Sequence, residues 1–347
     1  MLYMGDSNIV LSILVISHNQ AELLPRCLDS ILSQQLDVRY EVVISDDRST
    51  DGTWELIKEY EKKNPDIVRG VKCNSDECNP ITRSERCGWN KANAYKHSRG
   101  DFFVNMDADD YLKSADVYQK QLDALIANPD CSMCQQRVWQ VDDGAPLESG
   151  SAWPQSHLLK DGIKMDPEYV ILNGLQGLNQ TYMIRRNRNE DPTQIFGKWY
   201  DDTIITLYHL QFGNVIFLDR SDYVWVQYQG SISNSDSSDD RLVLYSLLPY
   251  LHMLLIPNFK FFFLSQPNLH LVHLLKKSIF QRIRLETSTK DYWSQFDGFI
   301  FQYYSNKQRC LLDRVRLVRI LLLYRKLKKR NIKDQGERDK LFKLLLG

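Results

Sequence analysis

Three carboxylates fall within four residues at Asp107-Ala108-Asp109-Asp110, directly after the apolar run Phe102–Met106. Carboxylates this close repel one another and persist only where a cation or hydrogen-bond donors offset them. Mg2+ and Mn2+ take carboxylate oxygens and bridge phosphate oxygens at the same time. A divalent ion there would neutralise charge on a leaving diphosphate. Taken alone, the pattern is also that of an acidic surface turn or a helix cap. Two more acidic pairs accompany it. Asp46-Asp47 follow the run Glu41–Ser45, and a carboxylate at the end of a buried strand can accept from a base N–H or a ribose hydroxyl. Capping by Ser49, Thr50 or Asp51 explains the residues after that pair, not the pair itself. Asp201-Asp202 follow Lys198-Trp199-Tyr200 and open a helical pattern. Such a carboxylate can deprotonate a hydroxyl. The alternative is ordinary acidic decoration of a helix N-terminus.

The elements that must position these groups are read from periodicity. Val10–Ser17 is an apolar, β-branched run of the kind buried on both faces. Glu22–Gln34 has apolar residues at helical spacing, with Pro25 suited to its first turn. Glu41–Ser45 is a second buried strand. Ser49-Thr50-Asp51-Gly52 turns the chain into a helix over Thr53–Lys62, and Val68–Lys72 is a third strand. A polar stretch, Asn74–Arg86, precedes a helix over Trp89–Ser98 and a strand over Asp101–Met106. This β-α-β-α-β order predicts an open α/β sheet, which binds ligands in the crevice at its strands' C-terminal ends. Ser17, His18, Asp46, Asp47, Asp107 and Asp109 should therefore converge on one cleft. Further on, the pattern predicts a helix over Ala115–Ala127 and a strand near Ser132–Val141. It then predicts strands over Leu178–Arg185 and Val215–Leu218, and a helix over Asp201–Gln211.

Composition sets bounds. The 347 residues suffice for one large domain, or a domain with an extension. A formal net charge of +0 argues against binding nucleic acid by bulk attraction. Seven cysteines in no regular framework argue against a disulfide scaffold. Cys131-Ser132-Met133-Cys134 lacks a second pair at zinc spacing and reads as ordinary strand cysteines. Cys73, Cys78 and Cys87 fit either a redox-sensitive cluster or plain reduced thiols. Met1–Asn8 is polar with no apolar core of a signal segment, so a cytoplasmic protein is expected.

Leu11–Asn19 resembles the opening strand of the family 2 inverting glycosyltransferases of GT-A fold. Glu41–Thr53 resembles their second-strand motif, and Gly100–Asp110 their metal-binding segment. Tyr200-Asp201-Asp202, with Leu207 and Gly213, resembles the helix bearing their catalytic base. Gly230-Ser231-Ile232-Ser233 resembles the segment that closes their domain. The resemblance covers about residues 9–233. It implies a Rossmann-like nucleotide-diphospho-sugar transferase domain over 1–233, followed by a mostly helical extension over 234–347. It implies inverting, Mn2+- or Mg2+-dependent transfer of a sugar from a nucleotide sugar, a UDP-hexose or UDP-N-acetylhexosamine. The acceptor would be a hydroxyl of a glycan or lipid-linked glycan. Ser17, Asp46 and Asp47 lie where the family contacts the base. His18 stands where Tyr is frequent and would stack on the base or serve as a loop histidine. Asp107 falls at the ribose or the metal, Ala108 beside the donor, Asp109 at the metal and Asp202 at the general base. Arg83, Arg86 and Lys91 are expected on the diphosphate. Two departures stand out: Val226 and Tyr228 occupy positions where many members have Arg and His. They motivate the competing reading of a non-catalytic nucleotide- or glycan-binding component of an assembly complex. A nicotinamide oxidoreductase is disfavoured because Ser17-His18-Asn19-Gln20 replaces the glycine-rich turn after the first strand.

Beyond the polar run Asn234–Asp240, the segment Tyr245–Leu264 is apolar but carries Pro249, Pro257 and Lys260, against a spanning helix. Arg314–Arg330 holds eight basic residues and no acid around a leucine-rich stripe. That basic amphipathic pattern suits either the anionic inner face of the cytoplasmic membrane or packing on the catalytic domain. If the membrane reading holds, truncation after Asp313 should abolish cosedimentation with anionic liposomes. Undiminished cosedimentation would reject it.

Overall fold

The computed structural model describes residues 9–78, 83–155, 159–172, 179–189, 191–210 and 212–228. The expectations for Gly230–Ser233, for Tyr245–Leu264, for Arg314–Arg330 and for the 234–347 extension lie outside them. The chain begins with β1 (Leu11–Ser17), α1 (Leu24–Leu32), β2 (Tyr40–Asp47), α2 (Thr53–Lys63) and β3 (Val68–Cys73). Then come α3 (Arg83–Lys96), β4 (Phe102–Asp107), β5 (Tyr111–Leu112), α4 (Val117–Ala127), β6 (Cys131–Gln135) and β7 (Val138–Asp142). The remainder is β8 (Ser151–Trp153), β9 (Lys164–Met165), α5 (Pro167–Leu172), β10 (Tyr182–Arg185), α6 (Pro192–Phe196), α7 (Asp202–Leu210), β11 (Asn214–Phe217) and β12 (Tyr223–Gln227).

Among the described residues, eight strands form one sheet in the order β3-β2-β1-β4-β10-β6-β11-β9, and β5-β12-β7-β8 form a second. β3, β2, β1 and β4 run parallel, with Ser17 level with Asp46 and Ile16 level with Asp107. This register carries the strand ends Ser17, Asp46-Asp47 and Asp107 to one edge, as the α/β reading expects. β1 is buried throughout because α1 and α2 cover one face and α3 the other. Leu24, Cys27, Leu28 and Ile31 of α1 join Ile13, Val15, Val42 and Ile44 in the main apolar cluster. Glu41 is buried on the opposite face, where Ser12 Oγ and the Arg99 backbone N–H and guanidinium satisfy it.

The structure departs from the sequence expectations in three places. α3 begins at Arg83, six residues before the predicted Trp89. Its packed face includes Glu85, Asn90 and Lys91, all buried, so polar residues stand where an apolar stripe would announce a helix. The single strand predicted over Ser132–Val141 is two strands in different sheets. The chain switches at Gln136-Arg137, whose N–H groups go to Thr181 and Arg220 carbonyls. The strand predicted from Leu178 is confined to Tyr182–Arg185, preceded by a 3-10 turn at Asn179–Thr181.

His209 of α7 is fully buried among Phe103, Tyr208 and Phe212. A carbonyl can only accept, so its Nδ1 carries the proton bonded to the Ile205 oxygen at 2.7 Å. Burial lowers its pKa to about 4. The native state therefore resists protonation, and its stability is complete above 6.5 and falls as pH drops toward 4. His209→Phe should flatten that decline by about 3 kcal/mol in chemical denaturation run across this window. An equally steep decline in the variant would rule His209 out as its source.

Candidate active site

The site is built on the C-terminal edge of β1, β2 and β4, closed by α3 and the start of α7. The loops after β1 and β2 are stapled together. Asn19 N donates to Ser49 Oγ at 2.8 Å, and Thr50 N donates to Asn19 Oδ1 at 2.8 Å. Asn19 and Arg48 both sit in the left-handed region, with φ of 53° and 56°. That conformation costs a non-glycine residue on the order of 1 kcal/mol and is concentrated at functional sites. Asp46, buried, accepts from Ser17 Oγ at 3.2 Å and from Ser49 N at 3.2 Å. Asp47, also buried, accepts from Ser75 N at 2.9 Å and Ser75 Oγ at 2.6 Å. His18 donates Nδ1–H to the Asp47 carbonyl at 2.6 Å, and its Nε2 lies 3.3 Å from the Asn19 side-chain amide. Asn90 Nδ2 ties the Ser17 and Ser45 carbonyls together at 3.1 Å each.

Lys91 joins the two halves of the site. Its ammonium is buried, pairs with Asp202 Oδ1 and lies 3.6 Å from Asp107 Oδ1. Burial opposes its charge, but Asp107 and Asp202 outweigh burial and hold it well above an ordinary lysine. Gly88, one turn earlier on α3, makes this reach possible. A Cβ there would stand 2.3 Å from the Lys198 carbonyl oxygen, so only glycine allows the helix this close to the segment before α7. The two acids at Asp201-Asp202 divide their tasks. Asp201 Oδ1 accepts from Ile204 N at 2.9 Å and caps α7. Asp202 faces Lys91 instead.

The Asp107–Asp110 turn carries surplus negative charge. Enclosure in the cleft, and repulsion from Asp202, raise the Asp107 carboxyl despite the opposing pull of Lys91. Burial and repulsion from Asp107 raise Asp109 to about 6. Burial, then Asp109 and Asp107, raise Asp110 well above the usual range. Asp110 is spent on structure: its Oδ1 accepts from Val226 N at 3.0 Å and clips the turn to β12. This donor set fits a divalent cation. Mg2+ and Mn2+ are held by one or two protein carboxylates and complete their shells with phosphate oxygens and water. Asp107 and Asp109 can supply that pair, and among the described residues no three acidic, His or Cys side chains form a closed cage.

Not every residue expected at the site faces it. Ala108 is packed in the main core, and its N–H bonds the Ile16 carbonyl at 3.1 Å, so its methyl is unavailable to a ligand. Arg86 is not beside Asp107. Its guanidinium donates to Ser75 Oγ at 2.8 Å and to Asp76 at 3.0 Å, on the Asp47 side of the cleft. The thiols of Cys73, Cys78 and Cys87 are raised by burial to about 12, about 11 and about 12. They stay protonated at neutral pH, which weighs against the redox-sensitive reading. Sequence reasoning missed Asn19, Arg26, Ser75 and Asn90. Their partners lie in distant segments, and no local pattern marks them.

The mixed α/β sheet, parallel over β3-β2-β1-β4 with acids at the ends of β2 and β4, has the GT-A fold. Residues 12–183 match the family model described as glycosyl transferase family 2. An uncharacterized protein of Mycobacterium tuberculosis is 26% identical over 235 residues, covering 67% of this chain and 62% of that protein. The chain thus spans under two thirds of that relative's length. A poly(ribitol-phosphate) beta-glucosyltransferase of Bacillus spizizenii is 30% identical over 108 residues, 30% of this chain and 15% of its own. The crystal structure of S. aureus TarS 1-349 in complex with UDP-GlcNAc superposes with a TM-score of 0.57 at 17% identity, covering 85% of this chain and 80% of that one.

The raised Asp109 carboxyl yields a prediction for the metal-free protein. Its folded pKa, about 6, exceeds the ordinary 3.8, so the fold binds this proton more tightly than the unfolded chain does. The stability it contributes is present below about 4 and is lost as pH rises through 6. Asp109→Asn should therefore stabilise EDTA-treated protein near neutral pH, by on the order of 1 kcal/mol after screening, with no gain near pH 4. It should also remove the rise in melting temperature on adding Mn2+. Equal neutral-pH melting of the two proteins in EDTA would count against the repulsion.

Proposed function

We propose that this protein transfers a sugar from a uridine diphosphate sugar to a hydroxyl of a glycan or lipid-linked glycan, with inversion and a divalent cation. The observation that carries the reading is the single Lys91 ammonium shared by Asp107 and Asp202. It brings a metal-binding strand end and a candidate base within reach of one reacting centre. The fold shared with a TarS structure containing UDP-GlcNAc supports a UDP-sugar donor, a hexose or N-acetylhexosamine. The Bacillus relative, named for a poly(ribitol-phosphate) acceptor, supports a polymeric cell-envelope glycan as acceptor.

In this reading Asp46, Asp47 and His18 face the uridine, and the loop staple between Asn19 and Ser49-Thr50 shapes its seat. Asp107 and Asp109 would hold Mn2+ or Mg2+, which would offset charge on the departing diphosphate. Lys91 is the fixed protein cation beside that charge, preorganised by burial and costing no reorganisation during reaction. The acceptor hydroxyl attacks the anomeric carbon from the face opposite the diphosphate. Asp202 accepts its proton, the new C–O bond forms, and the bond to the diphosphate breaks. The 1–233 catalytic domain, its 234–347 extension and peripheral attachment through 314–330 complete the proposal. Among the described residues no helix is long and apolar enough to cross a membrane.

Asp202→Asn should lower kcat by roughly 10^2–10^4-fold with donor KM little changed. Asp109→Asn, or EDTA with wild type, should abolish transfer measured by release of UDP. Weakened donor binding at an unchanged kcat in Asp202→Asn would remove that residue from the base role. Full activity in EDTA would reject the cation.

A further inference from the structure

Arg26 lies on the exposed side of α1 and has no local partner. Its Nη2 donates to the Asp109 carbonyl oxygen at 3.0 Å and to the Tyr228 hydroxyl at 2.9 Å. Its guanidinium carbon stands 4.4 Å from the centroid of the Tyr111 ring. One side chain therefore touches the acidic turn, the strand that follows it and the residue after β12. Asp110 grips the same turn from within, through Val226 N. Arg26 is the second clip, placed on the outer side. The direction of the Asp109 carboxylate follows from the main chain that Arg26 holds.

We propose that Arg26 is a positioning residue for the transfer reaction, fixing the Asp109 turn against Tyr228 so that the Asp109 carboxylate points at the divalent ion. The proposal rests on the metal-dependent reading above. A planar guanidinium suits this place because it stacks on Tyr111 while one nitrogen reaches two acceptors. A lysine ammonium keeps the charge but not the plane, and cannot stack and bridge in the same way. Tyr228, standing where many family members have His, thereby acts through Arg26.

The test uses the full chain as wild type, Arg26→Ala, Arg26→Lys, Tyr228→Phe and the Arg26→Ala/Tyr228→Phe pair. Mn2+ binding without donor is read by electron paramagnetic resonance of the free ion, followed by donor KM and kcat. Melting in EDTA identifies any variant that fails to fold. Both Arg26 variants should lose about tenfold in Mn2+ affinity, the usual effect of removing an outer support of a metal ligand, and raise donor KM to match. Their kcat at saturating donor and Mn2+ should stay near wild type. Tyr228→Phe should show the same loss in smaller measure, and the double variant should be no worse than Arg26→Ala. Tyr228→Phe removes one hydroxyl, so it remains readable should an Arg26 variant not fold. Wild-type Mn2+ affinity in Arg26→Ala, or full rescue by Arg26→Lys, would overturn the assignment while leaving the functional reading intact. Wild-type protein that neither binds Mn2+ nor turns over donor would instead overturn the functional reading, and this assignment with it.

Discussion

Lys91 is a fully enclosed ammonium, and such a charge is stable only with charge beside it. Asp107 arrives from the end of a strand and Asp202 from the start of a helix, and neither contact is local. Keeping Lys91 paired requires α3 to lie against both β4 and the segment that leads into α7. Asn90 then falls on the carbonyls that end β1 and β2, and Asn93 on Ser45 Oγ at 2.8 Å and the Lys72 carbonyl at 3.2 Å. One helix thus gathers five structural elements through polar groups, and the polar face that this requires is also the face the chemistry uses.

The acidic turn after β4 is held on the other side by the second sheet. Asp110 bonds β12, Arg26 bonds the residue beyond it, and β12 runs parallel to β7, which continues the chain from β6 of the large sheet. The turn therefore cannot move without disturbing both sheets. Such rigidity suits a group of like charges that must stay close despite their repulsion.

Much of this was legible in the sequence, for a definite reason. β1, β2 and β4 are buried on both faces, so their apolar runs stand out, and parallel pairing sets their polar ends, acidic in β2 and β4, on one edge. The acids of the site were readable because charge directly after such a run has few structural explanations. α3 was only half legible, because Glu85, Asn90 and Lys91 are buried through hydrogen bonds and ion pairs that hydropathy does not register. The split at Gln136-Arg137 was hidden because β6 and β7 are both strands, and only their partners differ. Arg26 was beyond sequence reasoning, since its partners lie 83 and 202 residues away.

Gly88 has a consequence for how firmly Lys91 meets Asp202. Where α3 meets the segment before α7, the contact is main chain against main chain, with no side chain to swell, rotate or yield. The separation between the lysine-bearing helix and the aspartate-bearing helix is therefore gauged by backbone geometry. The reach of Lys91 to Asp202 is set by that same backbone contact, so the ion pair keeps one length whatever the side chains around it do.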